Sequence, residues 1–324
     1  MNEQLTEQVT EHITEHITEH IAKKVTVGII GVGVMGLGIA TRLLAQGYTV
    51  KVRDIDPARE ALAAALGAHP LTTPRQIAEQ CDVVIVVVLN AEQIDSVLHQ
   101  GDNSAQGLLI GLEAAVLARR DGCPLILLCS TIAPEDVIRL GGQIQVAGGW
   151  PLDTPISGGP VRAAAGTMSM MLAGNTIALS QGKTVLDNIS ASQFLISDQL
   201  GDAMRAKLVN NLMAGANLVA AAEAMRLASA MGLDLVAMSQ LVAKSSGQSW
   251  MCDDRMARAL VDDYEPRAQT HVLTKDVHLA NQAARQLGLN LPIGQIAAQT
   301  MQAACDAGHR TEDDASLFKY LAAQ

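Results

Sequence analysis

The stretch Val25-Thr-Val-Gly-Ile-Ile-Gly-Val-Gly-Val-Met-Gly-Leu-Gly-Ile-Ala40 restricts the fold more than any other part of the chain. It reads as a short apolar strand, then Gly31, Gly33 and Gly36 in G-x-G-x-x-G spacing, then helix-forming sequence. Gly31 permits the tight turn out of the strand, Gly33 lets a pyrophosphate approach the backbone, and Gly36 allows the helix to pack closely. The unpaired N–H groups of the helix's first turn, with their partial positive charge, suit phosphate. Gly31, Gly33, Val34, Met35 and Gly36 are therefore candidate dinucleotide contacts. Such a turn also occurs with no ligand, so context decides. The next apolar run, Tyr48-Thr-Val-Lys-Val-Arg53, ends in Asp54. An acid there can accept hydrogen bonds from both ribose hydroxyls of NAD and would repel the 2′-phosphate of NADP. Arg53 and Arg59 argue the other way unless they are ordinary solvated arginines. The balance favours NAD over NADP.

At 324 residues the chain exceeds the roughly 100–200 residues of one domain, so two domains are expected. Apolar residues make up 49% but aromatics only 2%, a balance that suits closely packed helices better than a β-sandwich core. The net charge of −10 and the absence of basic runs argue against a nucleic-acid partner. Five scattered cysteines without C-x-x-C spacing read as reduced core residues, not disulfides or metal ligands. Nothing resembles a membrane span or a secretory signal, so the cytoplasm is the expected compartment.

Residues 1–23 carry a Thr-Glu-His-Ile repeat that stacks His12, His16 and His20 at i, i+4 spacing if helical. A metal there is weighed below a solvated extension, and no metal site is expected. From Val25 to about Ile196, apolar runs alternate with helix-like segments. Candidate strands are Val25–Ile30, Thr49–Arg53, Val83–Val88, Leu125–Leu128, Trp150–Thr154 and Thr167–Leu172. Near-continuous apolar strands separated by helices imply a parallel sheet covered on both faces. After Gly201 the strand signals stop, and Asp202 to Met231 reads as one long, Ala-rich, mostly buried helix. The expected architecture is α/β: an N-terminal Rossmann domain (24–198) and an all-α C-terminal domain (199–324), joined by that helix and preceded by the 1–23 extension.

Lys207 and Asn211 lie four apart on the long helix, so they share a face, and neither suits apolar surroundings without a partner. A lysine with its ordinary value near 10.4 lowered by about 3 units could serve as an acid/base near neutrality. Alone, it reads more readily as a solvated charge.

The motif series is more specific. Gly31-Val-Gly-Val-Met-Gly-Leu-Gly-Ile-Ala40, Ser130-Thr-Ile-Ala-Pro134, Asp153-Thr-Pro-Ile-Ser-Gly-Gly159, Lys207-Leu-Val-Asn-Asn211 and Lys275-Asp276 occur in the order found in the β-hydroxyacid dehydrogenases, which this chain resembles from about Val25 to Leu321. The resemblance implies hydride transfer between NAD and a small hydroxy acid of 3-hydroxyisobutyrate, tartronate semialdehyde or L-threonate type. Lys207 would be the general acid/base, and Asn211 would hold the substrate oxygens or orient Lys207. Ser157, Gly158 and Gly159 would receive the substrate carboxylate. Leu89, Asn90 and Thr131 would lie along the cofactor, with Lys275 reaching the nicotinamide end from the second domain through domain closure. Gly201-Asp-Ala203 and Ala268 depart from the family pattern and affect the pocket's shape. Ser249-Trp-Met-Cys-Asp-Asp-Arg255 and Asp263-Tyr-Glu-Pro266 lean toward L-threonate-like members. A homodimer or homotetramer is expected. Two competing readings are a cofactor-binding scaffold without catalysis and a reductase of an imine or sulfonate aldehyde; a retained Lys207 argues against the scaffold and favours a hydroxy acid over an imine.

Overall fold

The computed structural model describes residues 25–100, 103–118 and 123–324. The Thr-Glu-His-Ile repeat, its three histidines and the expected start at Lys24 lie outside the described residues. The first half runs β1 (Thr26–Ile30), α1 (Val34–Ala45), β2 (Thr49–Arg53), α2 (Pro57–Ala65), the two-residue β3 (His69–Pro70), α3 (Pro74–Gln80), β4 (Val83–Val86), α4 (Ala91–His99), α5 (Leu108–Ala118), β5 (Leu125–Leu128), α6 (Pro134–Val146) and β6 (Trp150–Asp153). These six strands form a parallel sheet in the order β3-β2-β1-β4-β5-β6.

Side chains alternate through this sheet with the period of two that a strand imposes. Val27 and Ile29 of β1, Val83 and Ile85 of β4, and Leu125 and Leu127 of β5 join one core with Ile39 and Leu43 of α1. Ile30, Val84, Val86, Ile126 and Leu128 join the opposite core with α3, α4, α5 and α6. Because both faces are covered, β4 and β5 are apolar at every position. The glycine turn follows from backbone geometry. Gly31 has φ +95°, which a side chain resists, and a Cβ on Gly36 would sit 1.9 Å from the Gly31 carbonyl oxygen.

The sheet then changes direction. After β6 come β7 (Ile156–Ser157), α7 (Gly159–Ala165), β8 (Met168–Gly174), α8 (Thr176–Ile189) and β9 (Ser190–Ser197). β8 pairs antiparallel with both β6 and β7, whereas β9 is parallel to β8. The segment 158–167 is shorter than the dozen or more residues a parallel crossover needs, so the chain folds back. β9 is mostly exposed and lacks clean alternation, so it escapes a pattern search.

From Gly201 onward the elements are helical. The long helix α9 covers Asp202–Ala230, 29 residues and about 44 Å at 1.5 Å per residue. Its base belongs to the sheet's core through Met204, and its upper part belongs to a separate helical core through Leu218, Ala222 and Met225. α10 (Leu235–Val242), α11 (Ala257–Ala259), α12 (Thr270–Gln286), α13 (Pro292–Ala304) and α14 (Ser316–Ala322) complete that lobe. A Cβ on Gly215 would lie 2.4 Å from Val277 Cγ2, so the single glycine of α9 permits the close crossing with α12. The result is a Rossmann domain and a helical domain joined by α9. Among the described residues, no helix is long and apolar enough to cross a membrane.

Candidate active site

The site forms where α9 passes from one core to the other. Lys207 and Asn211 lie on the buried face of α9, between the sheet contact at Met204 and the helical core beginning at Leu218. Lys207 is only 6% exposed. Among the described residues its ammonium has no hydrogen-bond or ion-pair partner. Burial pushes the amine down from 10.5 to about 8; Asp276 opposes that change and Lys275 reinforces it. An amine desolvated in this way exchanges its proton near neutrality.

Asp276 on α12 organises the rest. Its Oδ2 accepts from Asn211 Nδ2 at 2.6 Å, and its Oδ1 accepts from Lys275 Nζ at 2.7 Å. Asn211 therefore turns its amide toward a fixed carboxylate, and its Oδ1 accepts from Asn210. Lys275 also donates to the Thr131 carbonyl at 2.5 Å, so the two domains touch here without further closure. Asp276 was legible only as the neighbour of Lys275. The partner that a buried Asn211 must have was the available signal, but nothing local in sequence pairs positions 65 residues apart.

In the sequence Asp153 is only the first residue of a motif, yet in the fold it ties the domains together. It is fully buried at the end of β6, and its Oδ2 accepts from the backbone N–H groups of Gly201 and Met204 at 2.9 and 3.0 Å. One carboxylate thus caps α9 about one turn before Lys207 and opens the loop that carries Ser157. Ser157 ends β7, and Gly158 and Gly159 follow with φ +131° and +74° at the start of α7. Two consecutive left-handed residues turn the chain where a carboxylate could meet backbone N–H groups. A Cβ on Gly159 would meet nothing within 4 Å, so space is open there.

The cofactor residues form a second cluster at the C-terminal ends of the parallel strands, where ligands of such sheets bind. Gly33 is the N-cap of α1, with no side-chain cap on the helix start, leaving Val34 and Met35 in its first turn. A Cβ on Gly33 would meet only Arg59 Nη1, at 3.6 Å, so the backbone is approachable. Asp54 Oδ2 accepts from Val32 N–H at 2.5 Å and Oδ1 from Asp56 N–H at 2.9 Å. The carboxylate is held beside the glycine turn with acceptor capacity to spare. Arg53 is tied to Glu60 at 2.8 Å. β4 stops at Val86, short of Val88, but Val88 N–H is still held by Ser130 Oγ at 3.0 Å. Leu89 is partly exposed, and Asn90 caps α4 by accepting from Gln93 N–H, so its side chain is engaged. Open backbone at Gly33, uncapped helix donors and a poised acid fit a nicotinamide dinucleotide.

Comparison with known proteins agrees with this geometry. Residues 26–197 match the family model of the NAD binding domain of 6-phosphogluconate dehydrogenase, and residues 201–321 match that of the NAD-binding domain of NADP-dependent 3-hydroxyisobutyrate dehydrogenase. An L-threonate dehydrogenase of Cupriavidus necator is 34% identical over 293 residues, 90% of this chain and 95% of that protein. A crystal structure of 3-hydroxyisobutyrate dehydrogenase from Salmonella typhimurium shares 32% identity with a TM-score of 0.81, covering 91% of this chain and 99% of that one. A solved structure of Psf3 in complex with NADP+ and 2-OPP shares 27% identity with a TM-score of 0.82, over 91% and 99% of the two chains. With both halves matched in order and the strand-end cleft built as the sequence requires, the chain belongs to the β-hydroxyacid dehydrogenases, oxidoreductases that use a nicotinamide cofactor.

Proposed function

We propose that this chain interconverts a small hydroxy acid of L-threonate type and its carbonyl product, with Lys207 as general acid/base and NAD as the preferred cofactor. The observation that carries the reading is the partnerless, buried Lys207 amine at the junction of the two cores. When bound, nicotinamide takes up or gives a hydride at C4. Lys207, neutral above about 8, removes the substrate's hydroxyl proton in the oxidation direction; protonated, it returns that proton to the carbonyl oxygen in reduction. Asn211, fixed by Asp276, positions the substrate's oxygens beside the amine. Ser157, Gly158 and Gly159 receive the carboxylate. Lys275, anchored to Thr131 and Asp276, closes the nicotinamide end.

Asp54 beside the glycine turn and the pairing of Arg53 with Glu60 support NAD. Arg59, near Gly33, supplies a pyrophosphate contact. The substrate lean rests on the threonate-like segments and on the L-threonate dehydrogenase relatives. We place the domain boundaries at 24–198 and 199–324. A homodimer or homotetramer is supported by α10, whose apolar sequence buries none of its residues. A cytoplasmic enzyme is supported by five scattered cysteines without C-x-x-C spacing.

Reduced-nicotinamide absorbance with NAD or NADP and a panel of L-threonate, 3-hydroxyisobutyrate and glycerate tests the whole reading. Turnover with L-threonate and NAD is expected, with Lys207→Arg inactive because guanidinium does not give up its proton. If that variant keeps more than about a tenth of wild-type kcat, a difference of only ~1.4 kcal/mol, the acid/base role is wrong. Tight NADH binding with no turnover on any acid would favour the scaffold.

A further inference from the structure

On the side of α12 turned away from Asn211 lies a cavity of about 260 Å³ whose lining shares only Lys275 with the cleft described above. His271, Lys275 and His278 of α12 face Gln302, Cys305 and Arg310 across it, and none of its lining residues carries a carboxylate. In a chain of net charge −10, such a lining is a local inversion of sign. At 100° per residue, His271 and His278 lie about 140–160° around α12 from Asp276. The cavity and the Asp276–Asn211 pair therefore occupy opposite flanks of the helix, with Lys275 between them.

The polar groups of this cavity are set up for a ligand that accepts hydrogen bonds. His271 Nδ1 lies 3.0 Å from the Arg310 carbonyl and His278 Nδ1 lies 2.9 Å from the Thr274 carbonyl. A carbonyl only accepts, so each Nδ1 is the donor in its contact. Among the described residues, the Arg310 guanidinium has no hydrogen-bond or ion-pair partner. The nearby acids are engaged with other groups: Asp306 accepts from Gln302, and Glu312 accepts from His309 and Lys319. The backbone break at Gly308, φ +104°, carries Arg310 back toward α12; its carbonyl also accepts the His271 backbone N–H.

We propose that this cavity binds a small oxyanion, a phosphate or a carboxylate, at a site separate from the acid/base cleft. Arg310 supplies the planar fork of donors, Lys275 supplies charge from behind, and His271 and His278 form the wall beside them. Because Lys275 also holds Asp276 and the Thr131 carbonyl, the anion draws on the same ammonium that links the two domains. Binding does not depend on Lys207.

Calorimetric titration of the full chain with inorganic phosphate and, in parallel, malonate at constant ionic strength tests this, together with the ring C–H resonances of His271 and His278. Saturable binding in at least one arm is expected, with both resonances moving and with Lys207→Met behaving as wild type. The tighter arm identifies the source as phosphate-bearing or carboxylate-bearing. His278→Gln and Arg310→Gln should each weaken binding about tenfold while NADH affinity stays unchanged. Absence of saturation in both arms up to ~20 mM, or binding that survives the double variant, overturns the site. Loss of NADH affinity in the double variant would merge the cavity with the cofactor cleft and equally overturn a separate site. Neither failure touches the acid/base reading, which Lys207→Arg decides.

Discussion

Replacing Lys207 by Met should abolish turnover and at the same time stabilise the protein. Burial lowers the amine from 10.5 to about 8. At about 1.4 kcal/mol for each pH unit, keeping that lysine charged inside the fold costs about 3 kcal/mol. The sign follows from proton counting. Unfolded Lys207 holds its proton up to about 10.5, whereas folded Lys207 releases it near 8, so between those values the unfolded state binds more protons and wild-type stability rises with pH. At pH 7 the full cost is present; above about 10.5 it is gone. Methionine keeps an unbranched side chain of similar length and removes the charge. Calorimetry of the cofactor-free proteins should therefore show Lys207→Met unfolding ~4–5 °C higher at pH 7. The advantage should shrink progressively as the pH is raised from 8 toward 10.5. A variant that unfolds at or below the wild-type temperature at pH 7, or a difference independent of pH, would show that Lys207 is not a desolvated cation. The assignment of its proton-transfer role would then lose its physical basis.

Three other perturbations separate the parts of the cleft. Asp276→Asn removes the carboxylate that raises the Lys207 amine, so the kcat limb for oxidation should move below its wild-type position near 8; an unmoved limb in the pH–rate profile would show that Asp276 acts only on Asn211 and Lys275. Gly36→Ala places a Cβ 1.9 Å from the Gly31 carbonyl, an overpacking that costs about 1–3 kcal/mol. NADH binding, followed by fluorescence, should weaken sharply, and wild-type affinity would mean that the turn yields without harming the site. Asp54→Ser should relax the preference for NAD over NADP, read as the ratio of kcat/KM values; an unchanged ratio would remove Asp54 from ribose recognition.

How much of this was legible in the sequence depended on whether a signal was local. The glycine turn, the parallel strands and the bounds of α9 are set by patterns a few residues long: φ at Gly31, the continuous apolar run of β1, and the run of helix formers from Asp202. The reversal of β8 was not visible, because it is decided by the length of the connection and not by the strand's own residues. β9 was not visible because most of it is exposed. Lys207 and Asn211 were found as misfits on an apolar helix, but Asp276, which explains them, sits 65 residues from Asn211 in an ordinary-looking amphipathic helix. Arg255 and Arg258, clamped to buried Asp314 and Asp313, were likewise hidden. Their pairing spans more than fifty residues, and single charges in sequence read as surface.

The buried charges at the root of α9 bear on which competing reading survives. Asp153 is fully buried, its Oδ1 has no partner, and burial pushes its carboxyl up to about 6 against the pull of the Met204 and Gly201 N–H groups. One turn further along, Lys207 is a buried cation with no direct partner, and Asp276 faces it from α12. Uncompensated buried charge is among the most destabilising features a core can contain; Asp276 is paired with Lys275, whereas Lys207 is not. Elsewhere the apolar pattern, caps and turns agree with one another. A chain that only held a dinucleotide would gain stability from an apolar residue at Lys207 and would lose nothing at Gly33 or Asp54. Charge retained there at such a cost accords with the dehydrogenase and not with the scaffold.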